Sequence, residues 1–275
     1  MHPGLITTIR TKAAVKTTNG LAILDKELFV VNDKSPEVDV YDLITLSFSS
    51  RWNLKTLIAP LDMTSCDRNK CLYVCDYKDG RQSAEILKVD GNGKLLKNWS
   101  TKNAGGRLSV TYESTVILTA YYANKLDEYS PDGLFIREIN LSAREGFLNP
   151  LHAIKLVTAH FVVCHGCHDD ELHRVCKVDA DGKLLRSFAG KCGSTIGQTN
   201  IPCYLSVDGN GSIIVADSAN RRVLLLDSDM KFKKELLSEE HGLGYPVRIL
   251  LDESNDRLFV ADNEWNNERI LIFNY

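Results

Sequence analysis

The sequence predicts an all-β fold, a six-bladed β-propeller closed into a ring, and three observations predict it. First, one segment recurs six times, most clearly over 201–237 as IPCYLSVDGNGSIIVADSANRRVLLLDSDMKFKKELL. Each copy holds an apolar strand, a polar turn, a second strand, a polar loop and a third apolar strand. Second, the ends of the second strands fall at Asn32, Asp76, Ala120, His165, Asp217 and Asp262, spaced about 44 to 52 residues apart, the period of blades with about four short strands each. Third, the last copy stops at Tyr275 after its third strand, while an unassigned strand, LITTIR at 5–10, precedes the first copy. That strand is expected to complete the last blade, which closes the ring and hides its edges.

Taken in order, the blades are expected at 16–58, 59–103, 104–146, 147–199, 200–243, and 244–275 together with 4–12, all in one domain. The second strands read LFVVN, LYVCD, VILTA, FVVCH, IIVAD and LFVAD, and the third strands EVDVYD, AEILKVD, KLDEYS, HRVCKVD, RRVLLLD and ERILIFN. Fourth strands follow tight turns such as DADG at 179–182 and SPDG at 130–133, where Asp-Gly supplies the positive φ that hairpins require. The longest interval contains GKCGSTIGQT at 190–199, a lengthened polar loop.

Composition narrows the function. A net charge of −3 carries no overall nucleic-acid signature. No run of eighteen apolar residues suggests a membrane span, and MHPGLITTIR lacks the apolar stretch of a signal peptide. These features lead to an expected cytoplasmic, monomeric domain. Cys75, Cys164, Cys176 and Cys203 stand at apolar strand positions and are expected in the core. Cys66 and Cys71 flank the turn DRNK, where facing positions are within reach of a disulfide. That bridge, with the glycosylation-type triplets at Asn98, Asn140 and Asn210, keeps secretion open.

On the strength of SVDGNGSIIVADSANRRVLLLD in the fifth blade and its weaker copies, the chain resembles the NHL-repeat propellers. The resemblance is good in blade six, fair in blades two and four, and weak in blades one and three. The best-known members are C-terminal recognition domains of tripartite-motif (TRIM) proteins, and the resemblance implies such a role. Some family propellers bind RNA on a basic face, others bind proteins, and a few six-bladed relatives are enzymes with a channel metal.

Aligning the innermost strands places Leu21, Met63, Arg107, His152, Tyr204 and Arg248 around the channel mouth. Met63, Arg107, His152, Tyr204 and Arg248 are the candidate binding residues. Two guanidiniums present forks for phosphate or carboxylate, while Tyr and His add donors and stacking faces. The leading expectation is non-catalytic recognition of a protein or peptide there. One alternative is single-stranded RNA, with Tyr204 and His152 stacking on bases. Another is a metal-dependent hydrolase or lyase using calcium or zinc in the channel. CHGCHDDELHRVC at 164–176 contains possible metal ligands in His165, Cys167, His168 and His173. The repeated Asp at the end of the second strand, and Arg221 with Arg222, are expected to brace loops and blades.

Overall fold

The computed structural model describes residues 3–10, 17–78, 83–264 and 267–275. Six four-stranded antiparallel sheets stand around a central channel. In five of them the strands follow chain order from the channel outward. In the sixth, Pro246–Asp252, Arg257–Glu264 and Asn267–Asn274 are completed by Leu5–Arg10. The closing strand pairs antiparallel from Leu5 opposite Phe273 to Arg10 opposite Arg269, with a register shift between Leu5 and Thr7. Each outer strand thus protects the strand inside it, and the ring is closed by pairing near both ends of the chain. The expected boundaries at 12 and 16 lie outside the described residues.

The period-two alternation of each strand buries one set of side chains against the preceding blade and the other against the next. Six apolar clusters result, one at each interface between neighbouring blades. Cys75, Cys164, Cys176 and Cys203 lie in these layers, as small apolar residues would. Turn glycines contribute to the same packing. Gly93, at φ +82°, lies under the Trp52 ring of the preceding blade, and Gly133, also at φ +82°, lies under Trp99. A Cβ at either position would come within 2.7 or 2.4 Å of a ring carbon.

Cys66 and Cys71 face one another across the DRNK hairpin. Both thiols are free and buried, so the possible bridge is not formed. The lengthened loop after blade four is pinned by a parallel bridge between Cys192 and Thr199. No described helix is long and apolar enough to cross a membrane.

Candidate functional site

Strand register corrects the inner ring. In blades three to six, Arg107, His152, Tyr204 and Arg248 pair with the residue just before the repeated position Ala120, His165, Asp217 or Asp262: Thr119, Cys164, Ala216 and Ala261. The same place in blades one and two belongs to Gly20, opposite Val31, and Asp62, opposite Cys75. Leu21 and Met63 are therefore one residue out of step. In a strand, that slip turns the side chain to the other face. The cause is a varying first hairpin, whose paired ends are Leu24 and Glu27 in blade one but Cys66 and Cys71 in blade two. The corrected ring acquires a carboxylate that the sequence reading had not placed there.

That carboxylate organises the channel. Asp62 is 0% exposed and accepts from the Leu108 backbone N–H at 2.9 Å, Arg248 Nε at 3.1 Å and the Tyr204 hydroxyl at 3.3 Å. Arg248 also donates through its two terminal nitrogens to the carbonyls of Leu61 and Val247, at 2.7 and 2.8 Å. Burial pushes the Asp62 carboxyl above its ordinary range, while Arg248 draws it back. Tyr204 stacks on His152 with ring centroids 3.8 Å apart and planes 7° apart. The Arg248 guanidinium lies 4.9 Å from the Tyr204 centroid and that of Arg107 5.8 Å.

His152 has both ring nitrogens occupied. Nδ1 accepts from Leu205 N–H at 3.2 Å and Nε2 donates to the Leu108 carbonyl at 3.2 Å. Burial, reinforced by Arg107, holds its pKa well below the ordinary value, so the ring is neutral. It is not placed to act as a general base. Nor are His152 and Tyr204, 2% and 8% exposed, presented for stacking on an RNA base. The expected stacking pair stacks on itself.

Arg107 differs from Arg248. It is half-buried and donates to the Cys203 carbonyl, without a carboxylate partner among the described residues. Two guanidiniums therefore face one buried carboxylate, leaving a surplus positive charge.

The next ring turns toward its own blades. Asp76 accepts from Ile58 and Ala59 N–H, Asp217 from Asn200 N–H and Asp262 from Gly244 N–H. Each is also paired with a cation, Lys78, Arg222 or Arg269. Asn32 accepts from Thr18. His165 replaces the carboxylate in blade four and accepts from Arg174 at 3.2 Å. Arg222 also donates to the Ser194 and Gln198 carbonyls, and Arg221 pairs with Glu239. Both arginines brace loops.

The histidine- and cysteine-rich segment does not converge. His165 packs on Phe147, Cys167 meets the Tyr121 hydroxyl, and His173 accepts from Ile201 N–H. Among the described residues, no three His, Cys, Asp or Glu side chains are grouped to hold a metal ion, and His168 joins no such group.

The buried network divides the channel into two pockets. At the loop-rich mouth, where the innermost strands begin, a cavity of about 230 Å³ is lined by Arg107, Arg248, Tyr77, Tyr121, Asn19 and Asn263. At the opposite mouth, where those strands end in hairpins, lies a larger cavity of about 590 Å³. His152 and Tyr204 line it from the channel side.

No known family's sequence profile matches the chain, and no curated protein matches it. Solved structures do. A gluconolactonase of Xanthomonas campestris is similar at 14% identity, over 99% of this chain and 95% of that one, with a TM-score of 0.68. A hydrazine synthase of Kuenenia stuttgartiensis is similar at 11% identity, over 97% of both chains, with a TM-score of 0.67. A virginiamycin B lyase of Staphylococcus aureus is similar at 9% identity, over 98% of both chains, with a TM-score of 0.63. The likeness shows the fold alone.

Proposed function

We propose that this propeller is a non-catalytic recognition domain that receives an anionic group of a protein or peptide partner at its loop-rich mouth. The observation that carries this reading is the charge imbalance at the pocket: Arg107 and Arg248 approach one buried carboxylate, Asp62, and the carboxylate engages Arg248. The half-buried Arg107 retains donors for an incoming carboxylate or phosphate, a pairing strengthened by low surrounding dielectric. Tyr77, Tyr121, Asn19 and Asn263 supply further polar and aromatic contacts. The occupied nitrogens of His152 support binding over acid–base chemistry.

The repeat resemblance adds a finer proposal. The domain serves as the substrate-recognition part of a TRIM-like ubiquitin ligase and acts as a monomer. That proposal rests on the NHL-like repeats, best developed in blades five and six, and implies no ligase chemistry in these residues.

The test is calorimetric titration with succinate, inorganic phosphate and a short acidic peptide. Wild-type protein should bind at least one of them, and Arg107→Ala should weaken binding at least about tenfold, roughly 1.4 kcal/mol, with the melting temperature lowered by no more than about 4 °C. Absence of binding to all three anions, or equal binding by the variant, would reject the site.

A further inference from the structure

The larger cavity, at the mouth remote from the two arginines, has a different chemistry. Apolar residues from all six innermost strands line it: Leu21, Met63, Leu108, Leu205 and Ile249 form its buried backing, and Ile154, Val207 and Leu250 are half-buried at its wall. The charged residues at this mouth are engaged by the protein. Lys155 lies 3.2 Å from Glu128 and 3.5 Å from Glu113, and Lys177 donates to the Ser228 carbonyl at 3.3 Å. Asp208 accepts from Asn210 and Ser212 N–H of its own turn and from the Tyr275 hydroxyl. The hydroxyls of Thr64, Ser65 and Ser206 also line the space and have no side-chain partner among the described residues. An apolar wall with a few unengaged hydroxyls is the composition of a small-molecule site, and about 590 Å³ is within the usual size of such sites.

We propose that the hairpin mouth is a binding site for an uncharged, mostly apolar small molecule carrying a few hydrogen-bonding groups. Its apolar body would lie against Ile154, Val207 and Leu250, with its polar groups directed to Thr64, Ser65 and Ser206. An anionic ligand is disfavoured because Lys155 is already neutralised by two carboxylates. A cationic one is disfavoured because Asp208 already accepts three hydrogen bonds. This site is independent of the anion pocket, from which the Asp62–Arg248–Tyr204–His152 network separates it.

The test uses Nile red, a neutral solvatochromic dye, titrated against the full chain and followed by its blue-shifted emission. Saturable binding at one site per chain is expected. Ser206→Trp, which fills the cavity from its wall, should weaken it at least tenfold, while Arg107→Ala at the far mouth should leave it unchanged. Thr64→Phe fills the cavity from blade two and replaces Ser206→Trp should that variant not fold. The anionic dye anilinonaphthalene sulfonate should bind at least tenfold more weakly than Nile red. Absence of saturable Nile red binding to the wild-type protein would overturn the proposal. So would binding unaffected by a folded filling variant, or tighter binding of the anionic dye.

Discussion

The two mouths of the channel are built from the same six strands, yet one is cationic and the other apolar and charge-compensated. The difference comes from position along each innermost strand. Near the strand starts, the ring reads Gly20, Asp62, Arg107, His152, Tyr204 and Arg248. One to two residues later the strands contribute Leu21, Met63, Leu108, Ile154, Leu205 and Ile249. A repeat fold permits this because the interfaces between blades bear the stability, so the channel residues are free to vary from blade to blade. The contrast teaches that, in this ring, residues of chemically active type can be structural. His152, Tyr204, Asp62 and Arg248 form the partition that keeps the mouths apart, while Arg107, on the same ring, retains donors for a ligand.

Both mouths exist only while the ring is closed. Deleting residues 1–10 removes the strand paired with Asn267–Asn274 and uncovers the edge that includes Ile270 and Ile272. We expect this to have the largest effect: loss of a cooperative melt and aggregation, read by scanning calorimetry and light scattering. A soluble truncate melting with the wild type would show that the closing strand is dispensable.

The partition comes next. Asp62→Ala leaves the buried Arg248 guanidinium without its carboxylate and the Tyr204 hydroxyl and Leu108 N–H without their acceptor. Breaking a buried pair from one side costs about 3–5 kcal/mol. Chemical denaturation should read that loss. A double variant, Asp62→Leu with Arg248→Met, should recover much of it, because the uncompensated charge is removed. Equal stability of Asp62→Ala and the wild type would mean that the network does not hold the channel.

Buried histidines set a pH limit. Burial lowers His152 well below its ordinary value and His165 to about 3. The unfolded chain takes up these protons as pH falls through about 6.5, while the fold does not. Stability is therefore complete above about pH 6.5 and is lost as pH falls toward the folded values. Between pH 7 and 5, His165 should account for about 2 kcal/mol of that loss, and His152 adds to it in the same direction. His165→Asn, compared with wild type by urea denaturation at pH 7 and pH 5, should lose correspondingly less on acidification. A pH-independent difference between the two proteins would contradict the assignment of a neutral buried imidazole.

Much of the fold was legible because blade strands keep their alternation through the copies and Asp-Gly turns mark the hairpins of several. The closing strand was legible from a surplus strand at one end and a missing one at the other. The Asp at the end of the second strand and Arg222 were read as braces, and their backbone and ion-pair partners agree. The ring was harder. Pattern aligns strands to within a residue, while a channel position needs exact register, and first hairpins of unequal length shift it. Hence Asp62 was missed beside Met63. The hairpin-mouth pocket was hidden for another reason: its wall is Leu, Ile and Met, which look like core in sequence. Cys66 and Cys71 show the same limit, since facing positions establish proximity without establishing a bond.

The smallest expected effect sharpens the comparison most, because it separates two arginines of one ring. Arg248 is 4% exposed and committed to Asp62 and two carbonyls. Arg107 is half-buried and donates to a single carbonyl, that of Cys203. Arg107→Ala should therefore change unfolding free energy by about 1 kcal/mol or less, the net value of an ordinary hydrogen bond. Arg248→Met, which strands a buried carboxylate, should cost several times more. The Cys203 carbonyl retains a second lone pair and lies near the loop-rich pocket, so water can replace the lost donor. Paired urea titrations of the two variants decide the matter. If Arg107→Ala proves as destabilising as Arg248→Met, Arg107 belongs to the partition, and the surplus charge assigned to the loop-rich mouth is a structural charge instead of a binding one.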